Sequence, residues 1–258
     1  MIDTHSHIYL SDFDSDRNNV LEKAFENGIE KILMPNIDSK SITSMLSAES
    51  QHPHICKAMM GLHPTSVKDD YINELKIIET ELDKRKYIAI GEIGIDLYWD
   101  KTFFKEQQDA LIQQFMWAKE KSLPVVIHTR NAFPEIFDIL YKVYDERLKG
   151  VFHSFSGTLE DAQKILELPD FYFGINGTIT YKNSKLLEIL PVIGYEKLLL
   201  ETDSPYLSPV PLRGKRNEPS FLVRIAEKVA EVFSVSVDEI DNITTRNAEK
   251  LFSFYCSC

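Results

Sequence analysis

Eight short apolar runs alternate with longer amphipathic stretches along most of this 258-residue chain. Strands that read as near-continuous apolar runs, each followed by a helix, indicate a parallel sheet that is covered on both faces. Eight such units predict an α/β fold of the (β/α)8 TIM-barrel type, for which about 250 residues is typical. The predicted strands are Ile2–His7, Lys31–Asn36, Cys56–Leu62, Tyr87–Gly94, Pro124–His128, Val151–Ser154, Tyr172–Asn176 and Lys197–Thr202.

Segments with helical periodicity lie between these strands, and two of them follow the last strand. The predicted helices are Ser15–Asn27, Ser41–Ser50, Tyr71–Asp83, Phe104–Lys121, Pro134–Tyr144, Leu159–Leu166, Ser184–Leu190, Ser220–Phe233 and Val237–Phe252. An open doubly wound sheet is the alternative, but that fold usually has a glycine-rich first turn, and His7-Ile8-Tyr9-Leu10 stands here instead. Because no repeat or linker is evident, residues 1–258 are predicted to form one domain.

The net charge of −11 limits the partners that this chain is expected to bind. A protein that binds nucleic acid by general electrostatics usually presents a basic face, so the charge argues against that mode of binding. Bound divalent cations and a local basic cluster can still hold a phosphate on an acidic protein. One such cluster is present, at Arg213-Gly214-Lys215-Arg216.

The cysteines and the lengths of the apolar runs indicate the compartment. Cys56 lies in an apolar run and is predicted to be a core residue, while Cys256 and Cys258 stand at the C-terminus. Such cysteines imply no disulfide framework, which favours the cytoplasm. No run approaches the roughly 20 apolar residues of a membrane span, and the N-terminus has no signal-peptide pattern. We expect a cytoplasmic protein without membrane contact, and nothing indicates an obligate protein partner.

Several histidines stand at the ends of the apolar runs, where a parallel barrel builds its active site. In His5-x-His7, the alternation of a strand puts both imidazoles on one face, with Asp3 in position to orient them. His128 and His153 end two successive predicted strands. A lone histidine at such a place is more often a satisfied core residue, but two at matching positions favour metal ligands.

Two carboxylates occupy similar positions. Glu92 follows an apolar strand core, and a buried glutamate without a partner is costly, so either a metal ion or a salt bridge should satisfy it. Asp203 follows the last strand and is either a ligand that also accepts a proton from water or the N-cap of the next turn. Glu201 lies two residues before Asp203, has the same strand parity and is therefore expected to face the same cavity. The predicted ligands together supply four imidazole nitrogens and two carboxylates, which is enough for two divalent ions. They are His5, His7, Glu92, His128, His153 and Asp203.

Seven motifs surround these residues and extend over nearly the whole chain. They are Asp3-Thr4-His5-Ser6-His7, Gly61-Leu62-His63-Pro64, Gly91-Glu92-Ile93-Gly94-Ile95-Asp96, His128-Thr129-Arg130, His153-Ser154-Phe155-Ser156-Gly157, Glu201-Thr202-Asp203-Ser204-Pro205-Tyr206 and Arg213-Gly214-Lys215-Arg216-Asn217-Glu218-Pro219. Together they resemble the motifs of the TatD-like metal-dependent deoxyribonucleases of the amidohydrolase superfamily. The last motif is the most distinctive of the seven.

This resemblance implies a TIM barrel that binds two divalent ions, Mg²⁺, Mn²⁺ or Zn²⁺. The implied ligands form two sets that share a bridging glutamate: His5, His7, Glu92 and Asp203 for one ion, and Glu92, His128 and His153 for the other. The resemblance also implies hydrolysis of DNA, often from the 3′ end of single strands. We therefore predict a 3′–5′ exonuclease in which water activated between two metals attacks the phosphodiester.

Three carboxylates are predicted to take part in the reaction. Glu92 bridges the metals, Asp203 acts as the general base, and Glu201 is a second proton acceptor. His63 either contacts the phosphate or caps the turn at Pro64. Other residues predicted to contact substrate are Asp96, Arg130 and Arg216, since arginine suits bidentate phosphate contact.

Aromatic residues in the loops after the strands either stack on a nucleobase or close the site as packing lids. They are Tyr98, Trp99, Phe155 and Tyr206. Two other functions fit the same sequence. A hydrolase of another small ester, amide or phosphoester would use the same metals, because fold and metal do not decide the substrate. A non-catalytic binding module is the third reading, and the presence of all six predicted ligands argues against it.

Overall fold

The computed structural model describes residues 1–254 and confirms the predicted alternation of parallel strands and helices. The strands of this described part are β1 (Ile2–Asp3), β2 (Lys31–Met34), β3 (Cys56–Ala58), β4 (Ile90–Asp96), β5 (Val125–Arg130), β6 (Gly150–Phe152), β7 (Phe171–Ile175) and β8 (Leu198–Leu200). They form a three-stranded sheet in the order β1-β2-β3 and a five-stranded sheet in the order β4-β5-β6-β7-β8. Cys256 and Cys258 lie outside the described residues.

Backbone contacts join these two sheets at both seams, although no continuous ladder crosses either seam within residues 1–254. Single parallel bridges pair Ser6 with Ser204 and Met60 with Ile90. The backbone N–H of His7 donates to the carbonyl of Ser204 at 2.8 Å, and that of Met60 donates to Ala89 at 3.1 Å. The strands therefore follow one another in chain order around a TIM-barrel-like fold.

Each predicted helix is present, with small shifts at its ends. The helices are α1 (Arg17–Glu26), α2 (Ile42–Gln51), α3 (Tyr71–Lys84), α4 (Phe104–Lys121), α5 (Phe133–Val143), α6 (Leu159–Leu166), α7 (Leu186–Ile193), α8 (Leu222–Phe233) and α9 (Val237–Phe252). The helix predicted to end at Leu190 continues to Ile193, where Gly194 takes a φ of +76° and ends it. The predicted Ser220–Phe233 helix begins instead as a 3₁₀ turn at Pro219–Phe221.

An apolar layer fills the space between the strands. Each strand, or the residue directly beside it, contributes one side chain to this layer, and these are Ile2, Leu33, Met59, Ala89, Val126, Val151, Tyr172 and Leu199. Three residues of α9, Ala248, Leu251 and Phe252, pack against this layer. This layer therefore closes one end of the fold, and the site lies at the other end, where the strands have their carboxyl ends. Cys56 is fully buried in the surrounding core, as predicted.

Two strand assignments that bear on the site are wrong. Strand β1 ends at Asp3, so His5 and His7 follow the strand rather than lie within it. Strand β4 runs from Ile90 to Asp96 rather than from Tyr87 to Gly94, and Glu92 lies inside it, beside a register shift against β5. A Cβ at Gly91 would stand 2.7 Å from the Cβ of Val126, so glycine allows β4 and β5 to approach closely here. Such irregularities re-aim side chains next to active sites.

Candidate metal centre

The carboxylate of Glu92 stands at the centre of a cluster of five imidazoles. Its oxygens face different rings: Oε2 lies 3.1 Å from His5 Nε2 and 3.7 Å from His7 Nε2, and Oε1 lies 2.9 Å from His128 Nδ1, 3.3 Å from His63 Nε2 and 3.8 Å from His153 Nε2. Burial opposes the charge of Glu92, but the neighbouring imidazoles hold its pKa well below the usual value. Glu92 is thus an ionised carboxylate with one oxygen toward each side of the cluster.

His5 is the most enclosed ring of the cluster. It is fully buried, and although Glu92 Oε2 lies 3.1 Å from Nε2, neither ring nitrogen makes a hydrogen bond of good geometry among residues 1–254. The ring of His153 stacks on it with centroids 3.4 Å apart, and Asp203 Oδ1 lies 3.8 Å from His5 Nε2. Burial lowers the pKa of His5 well below its usual value, so the ring is neutral. An unsatisfied neutral imidazole between two carboxylates fits a divalent cation.

The Tyr9 hydroxyl determines which nitrogen of His7 faces the cluster. It donates its hydrogen to the carbonyl of Pro35 at 2.6 Å, so it accepts from His7 Nδ1, which lies 3.1 Å away. The lone pair of His7 is therefore on Nε2, which faces Glu92 and lies 3.7 Å from Asp203 Oδ1. Burial lowers the pKa of His7 to about 4, which keeps the ring neutral at neutral pH. Such outer hydrogen bonds orient histidine ligands.

Glu201 lies beside His153 and does not line the cavity that its strand parity with Asp203 suggested. Glu201 Oε1 lies 2.9 Å from His153 Nδ1, so His153 Nε2 faces Glu92 and Asp203. Burial works against the charged ring, but Glu201 and Glu92 raise the pKa of His153 to about 10. Glu201 is fully buried, and among residues 1–254 it pairs with the cluster through His153.

His128 lies between two carboxylates. Its Nδ1 is 2.9 Å from Glu92 Oε1, and its Nε2 is 3.0 Å from Asp96 Oδ2. Burial disfavours the charged ring, but these two hydrogen bonds raise the pKa of His128 above its usual value. The other oxygen of Asp96 accepts the backbone N–H groups of Tyr98 and Trp99, at 2.9 and 3.3 Å. Asp96 therefore connects the cluster to the aromatic loop that follows β4.

His63 caps a turn and also faces Glu92. Its Nδ1 accepts the backbone N–H of Thr65 at 3.1 Å, at the start of the 3₁₀ turn Pro64–Ser66. The turn cap considered from the sequence is therefore present. Because Nδ1 accepts, the hydrogen of the neutral ring is on Nε2, which lies 3.3 Å from Glu92 Oε1. Burial lowers the pKa of His63, so the ring is neutral and offers an N–H donor.

The structure brings all six predicted ligands together. Ligand atoms within 4.8 Å of one another form three groups: His5, Glu92 and His153; His5, His7 and Asp203; and His63, Glu92 and His128. These groups differ from the two sets implied by the resemblance, because His153 stands beside His5 and because His63 joins Glu92 and His128. Imidazole and carboxylate donors in this mixture suit Zn²⁺, Mn²⁺ and related ions.

Asp203 lies on the solvent side of the cluster, under a cavity of about 680 Å³. Its backbone is left-handed, with a φ of +57°. Residues other than glycine rarely adopt this conformation, and it often marks functional sites. Burial raises its pKa to about 7, even though His153 favours the charged form. Burial thus favours the protonated form of Asp203 in the metal-free cluster.

Comparison with known proteins identifies the family. A family model described as TatD related DNase matches residues 2–253. The chain belongs to the TatD family. It is 36% identical over 253 residues to the uncharacterized metal-dependent hydrolase YabD of Bacillus subtilis (strain 168), with 98% of each chain covered. It is 33% identical over 256 residues to the uncharacterized metal-dependent hydrolase YjjV of Escherichia coli (strain K12), with 98% of this chain and 97% of YjjV covered.

A solved structure shows the same relationship. The crystal structure of YJJV, a TatD homolog from Escherichia coli K12, matches with a TM-score of 0.92 at 31% identity and covers 99% of this chain and 98% of that one. The TatD fold predicted from the motifs is therefore confirmed. No helix within residues 1–254 has both the length and the apolar character needed to cross a membrane.

The two predicted substrate arginines of this TatD chain differ in their surroundings. Arg130 lines the cavity, and its guanidinium lies 3.9 Å from the centre of the Tyr98 ring, with no ion pair in the described part of the chain. Arg216 does not line the cavity. It forms ion pairs with Asp16 at 2.7 Å and Glu218 at 2.9 Å. The structure therefore brings Arg130, and not Arg216, to the cavity.

Sequence reasoning missed Tyr9 and misjudged Asp3. Tyr9 continues the two-residue spacing of His5 and His7, and that spacing was the available signal. Asp3 does not contact either ring. Its carboxylate accepts the backbone N–H of Thr202 at 2.9 Å and the Thr202 hydroxyl at 2.6 Å, which ties the start of the chain to the segment before Asp203.

The aromatic loop residues divide into lids and exposed rings. Phe155 is buried against Phe133 and Phe173, so it is a packing residue. Tyr98, Trp99 and Tyr206 are largely exposed, and both Trp99 and Tyr206 line the cavity.

Proposed function

We propose that this TatD protein is a divalent-metal-dependent phosphodiester hydrolase, a deoxyribonuclease that shortens single-stranded DNA from the 3′ end. One observation carries the proposal: the two oxygens of Glu92 face different imidazole sets beneath one open cavity. A carboxylate in this position would be able to hold two ions, Mg²⁺, Mn²⁺ or Zn²⁺. The names of its relatives, metal-dependent hydrolases, and of the family model, TatD related DNase, support the same reaction.

The residues that would hold the metals are those of the cluster. His5, His7 and Asp203 present their ligand atoms on one side of Glu92, with His153 stacked behind His5. His128 stands on the other side. Divalent ions supply two effects when bound, since they acidify water and neutralise the charge of a phosphate.

The roles of the individual side chains follow from their positions. Asp203 lies at the base of the cavity with a pKa of about 7, so it suits the role of acceptor for the proton of the attacking water. Glu201 fixes the direction of the His153 ring. His63 offers its Nε2 hydrogen to an oxygen of the phosphate or of the leaving group, because Thr65 holds its Nδ1 as an acceptor.

Features of the cavity rim support a nucleic-acid substrate. Arg130 is a cation with no carboxylate partner in the described chain, at the rim of a protein whose net charge is −11. Exposed Trp99 and Tyr206 stand on opposite loops, after β4 and β8, and line the same cavity. Aromatic rings beside an electropositive group are typical of sites for single strands, because every base can stack on them.

The test uses purified protein and a single-stranded oligodeoxynucleotide labelled at its 5′ end. We expect a ladder of products that shorten by one nucleotide at a time with Mg²⁺ or Mn²⁺, and no cleavage after treatment with EDTA. The same strand labelled at its 3′ end should release labelled mononucleotide first. Asp203→Asn, purified in parallel, should be nearly inactive.

Three results would contradict the proposal. Equal activity of wild type and Asp203→Asn would assign the cleavage to a contaminant. Internal cleavage without the ladder would contradict the exonuclease. Intact DNA, together with metal-dependent hydrolysis of a small ester or amide, would favour the other hydrolase considered from the sequence.

A further inference from the structure

A second, smaller cavity of about 210 Å³ adjoins the main one. Thr65, Asp96 and Trp99 line both cavities, so the two share one wall. Lys68, Asp100 and Gln107 line the side cavity alone. It is too small for a complete nucleotide and its phosphate, but it has room for a pyrimidine-sized ring.

Trp99 forms the wall between the cavities and is unusually exposed. Its side chain is 71% exposed, and its backbone is anchored to Asp96, which also binds His128 of the metal cluster. The position of Trp99 is thus fixed relative to the reacting centre. A large ring that stays exposed between two cavities carries a hydration penalty that stacking on a ligand would remove.

The polar groups of the side cavity indicate what it binds. Lys68 Nζ lies 3.4 Å from Asp100 Oδ2 and 5.1 Å from the centre of the Phe103 ring. The lysine charge is therefore matched by a carboxylate, and Asp96 adds a second carboxylate to the lining. A phosphate would meet two carboxylates there, whereas a nucleobase offers carbonyl groups to Lys68 and amino or imino hydrogens to the carboxylates.

We propose that the side cavity is a subsite for the base of the nucleotide next to the scissile phosphate, which stacks on Trp99 and bonds to Lys68 and Asp100. The inference rests on the proposed phosphodiesterase function and narrows its substrate. A strand end of two or more nucleotides fills both cavities, and a mononucleotide fills only the main one.

Trp99 provides its own reporter for the test. The chain has two tryptophans, and the other, Trp117, is only 3% exposed and lies in α4. Quenching of Trp99 fluorescence can therefore be followed as metal-loaded protein is titrated with a hydrolysis-resistant phosphorothioate dithymidine or with thymidine 5′-monophosphate. Because stacking of a base on an aromatic side chain is worth about 1–3 kcal/mol, the dinucleotide should bind about 5- to 150-fold more tightly. The Trp99→Phe variant should lose the signal.

Variants of the side cavity separate it from the main one. Lys68→Ala should remove most of the dinucleotide preference and leave mononucleotide affinity within about twofold of wild type. Lys101→Ala, an exposed lysine of the same loop that lines neither cavity, is the matched control and should keep the preference. Trp99→Ala should also lose the dinucleotide preference, and calorimetry measures this because the variant lacks the fluorescent Trp99.

The outcomes distinguish the subsite from the proposed activity. Equal affinities of the two ligands for wild type, or equal effects of Lys68→Ala and Lys101→Ala, would overturn the subsite even if DNA is cleaved. A dinucleotide preference that depends on Lys68, in a protein that cleaves no DNA, would uphold the subsite and contradict the nuclease.

Discussion

Glu201 Oε1 lies 2.9 Å from His153 Nδ1 and accepts the backbone N–H of the next residue, Ser154, at 2.6 Å. One buried oxygen thus forms an ion pair with the ring and a hydrogen bond with the backbone that carries it. The other oxygen packs over Gly174, where a Cβ would collide with it. Glycine on β7 therefore makes the room that this carboxylate needs.

Loss of the Glu201 charge should weaken metal binding without unfolding the protein. In Glu201→Gln, the amide keeps the size of the side chain but no longer offers a charged acceptor to His153. Loss of such an outer partner typically costs about 10–100-fold in metal affinity or activity. Calorimetric titration with Mn²⁺ measures it, and Glu196→Gln, on an exposed residue nearby, is the control. Unchanged affinity in Glu201→Gln would show that His153 needs no such support.

Asp203→Asn should leave the fold intact and remove most of the activity. The amide is close in size to the carboxylate but cannot accept the proton of water, and removal of a general base typically costs about 10²–10⁴-fold in rate. The rate of cleavage of single-stranded DNA measures the loss of activity, and a circular dichroism spectrum checks that the fold is intact. The same exchange at the exposed Asp138 of α5 should change neither. A variant that retains a tenth of the wild-type rate would exclude Asp203 as the base.

His63 and His7 should respond differently to removal. In His63 the Nδ1 accepts from Thr65, so Nε2 is a donor, whereas in His7 the Tyr9 hydroxyl leaves Nε2 with its lone pair. We expect His7→Ala to lose bound metal, and His63→Ala to retain it while its rate falls by about 10²-fold, as for a lost transition-state donor. Metal analysis of dialysed protein together with kcat decides this. A loss of metal in His63→Ala would make His63 a ligand.

The fold could be predicted from the sequence because its signals are local. Apolar runs of strand length followed by amphipathic helices specify a parallel sheet, and the ends of α4, α6 and α9 coincide with the predicted ends. The ends of β1 and β4 could not be predicted in this way, because they depend on pairing with neighbours. Strand β1 ends at Asp3, whose side chain binds Thr202, and β4 shifts register against β5 beside Gly91.

The residues of the candidate site could be predicted from the sequence, but the contacts between their side chains could not. Strand-end placement gathered His5, Glu92 and Asp203 correctly around one point. The choice of partners depends on distances between loops that are far apart in the chain, so the stacking of His153 on His5 left no sequence signal. The same holds for Arg216, because nothing local to its motif reveals that Asp16 lies beside it.

The two arginines should separate substrate binding from stability. Arg130→Ala should raise the KM for single-stranded DNA by about tenfold, since a hydrogen bond to a charged group is worth about 1.5–3 kcal/mol, and should hardly change the melting temperature. Arg216→Ala breaks partly exposed ion pairs with Asp16 and Glu218, so it should lower the melting temperature slightly with little effect on KM. Steady-state kinetics and thermal denaturation of both variants provide the measurements. The reverse pattern would return Arg216 to the substrate site.

Asp3 should make the stability of the metal-free protein depend on pH. Burial raises the pKa of Asp3 from 3.8 to about 7, although Thr202 donates two hydrogen bonds to it. Between these values the folded protein holds a proton that the unfolded chain has lost. The stability contributed by protonated Asp3 is therefore fully present below about pH 4 and is lost as the pH rises toward 7.

Asp3→Asn removes this titration and keeps the shape of the side chain. Relative to the variant, wild type should lose about 2–4 kcal/mol of unfolding free energy between pH 4 and pH 7, since a tenfold change in proton affinity is worth about 1.4 kcal/mol. Urea denaturation in EDTA at several pH values measures the difference, and Asp138→Asn should run parallel to wild type. If Asp3→Asn also runs parallel, Asp3 is ionised in the fold at every pH tested. Its hydrogen bonds to Thr202 would then outweigh burial, and the contact between β1 and the segment before Asp203 would rest on a buried charge.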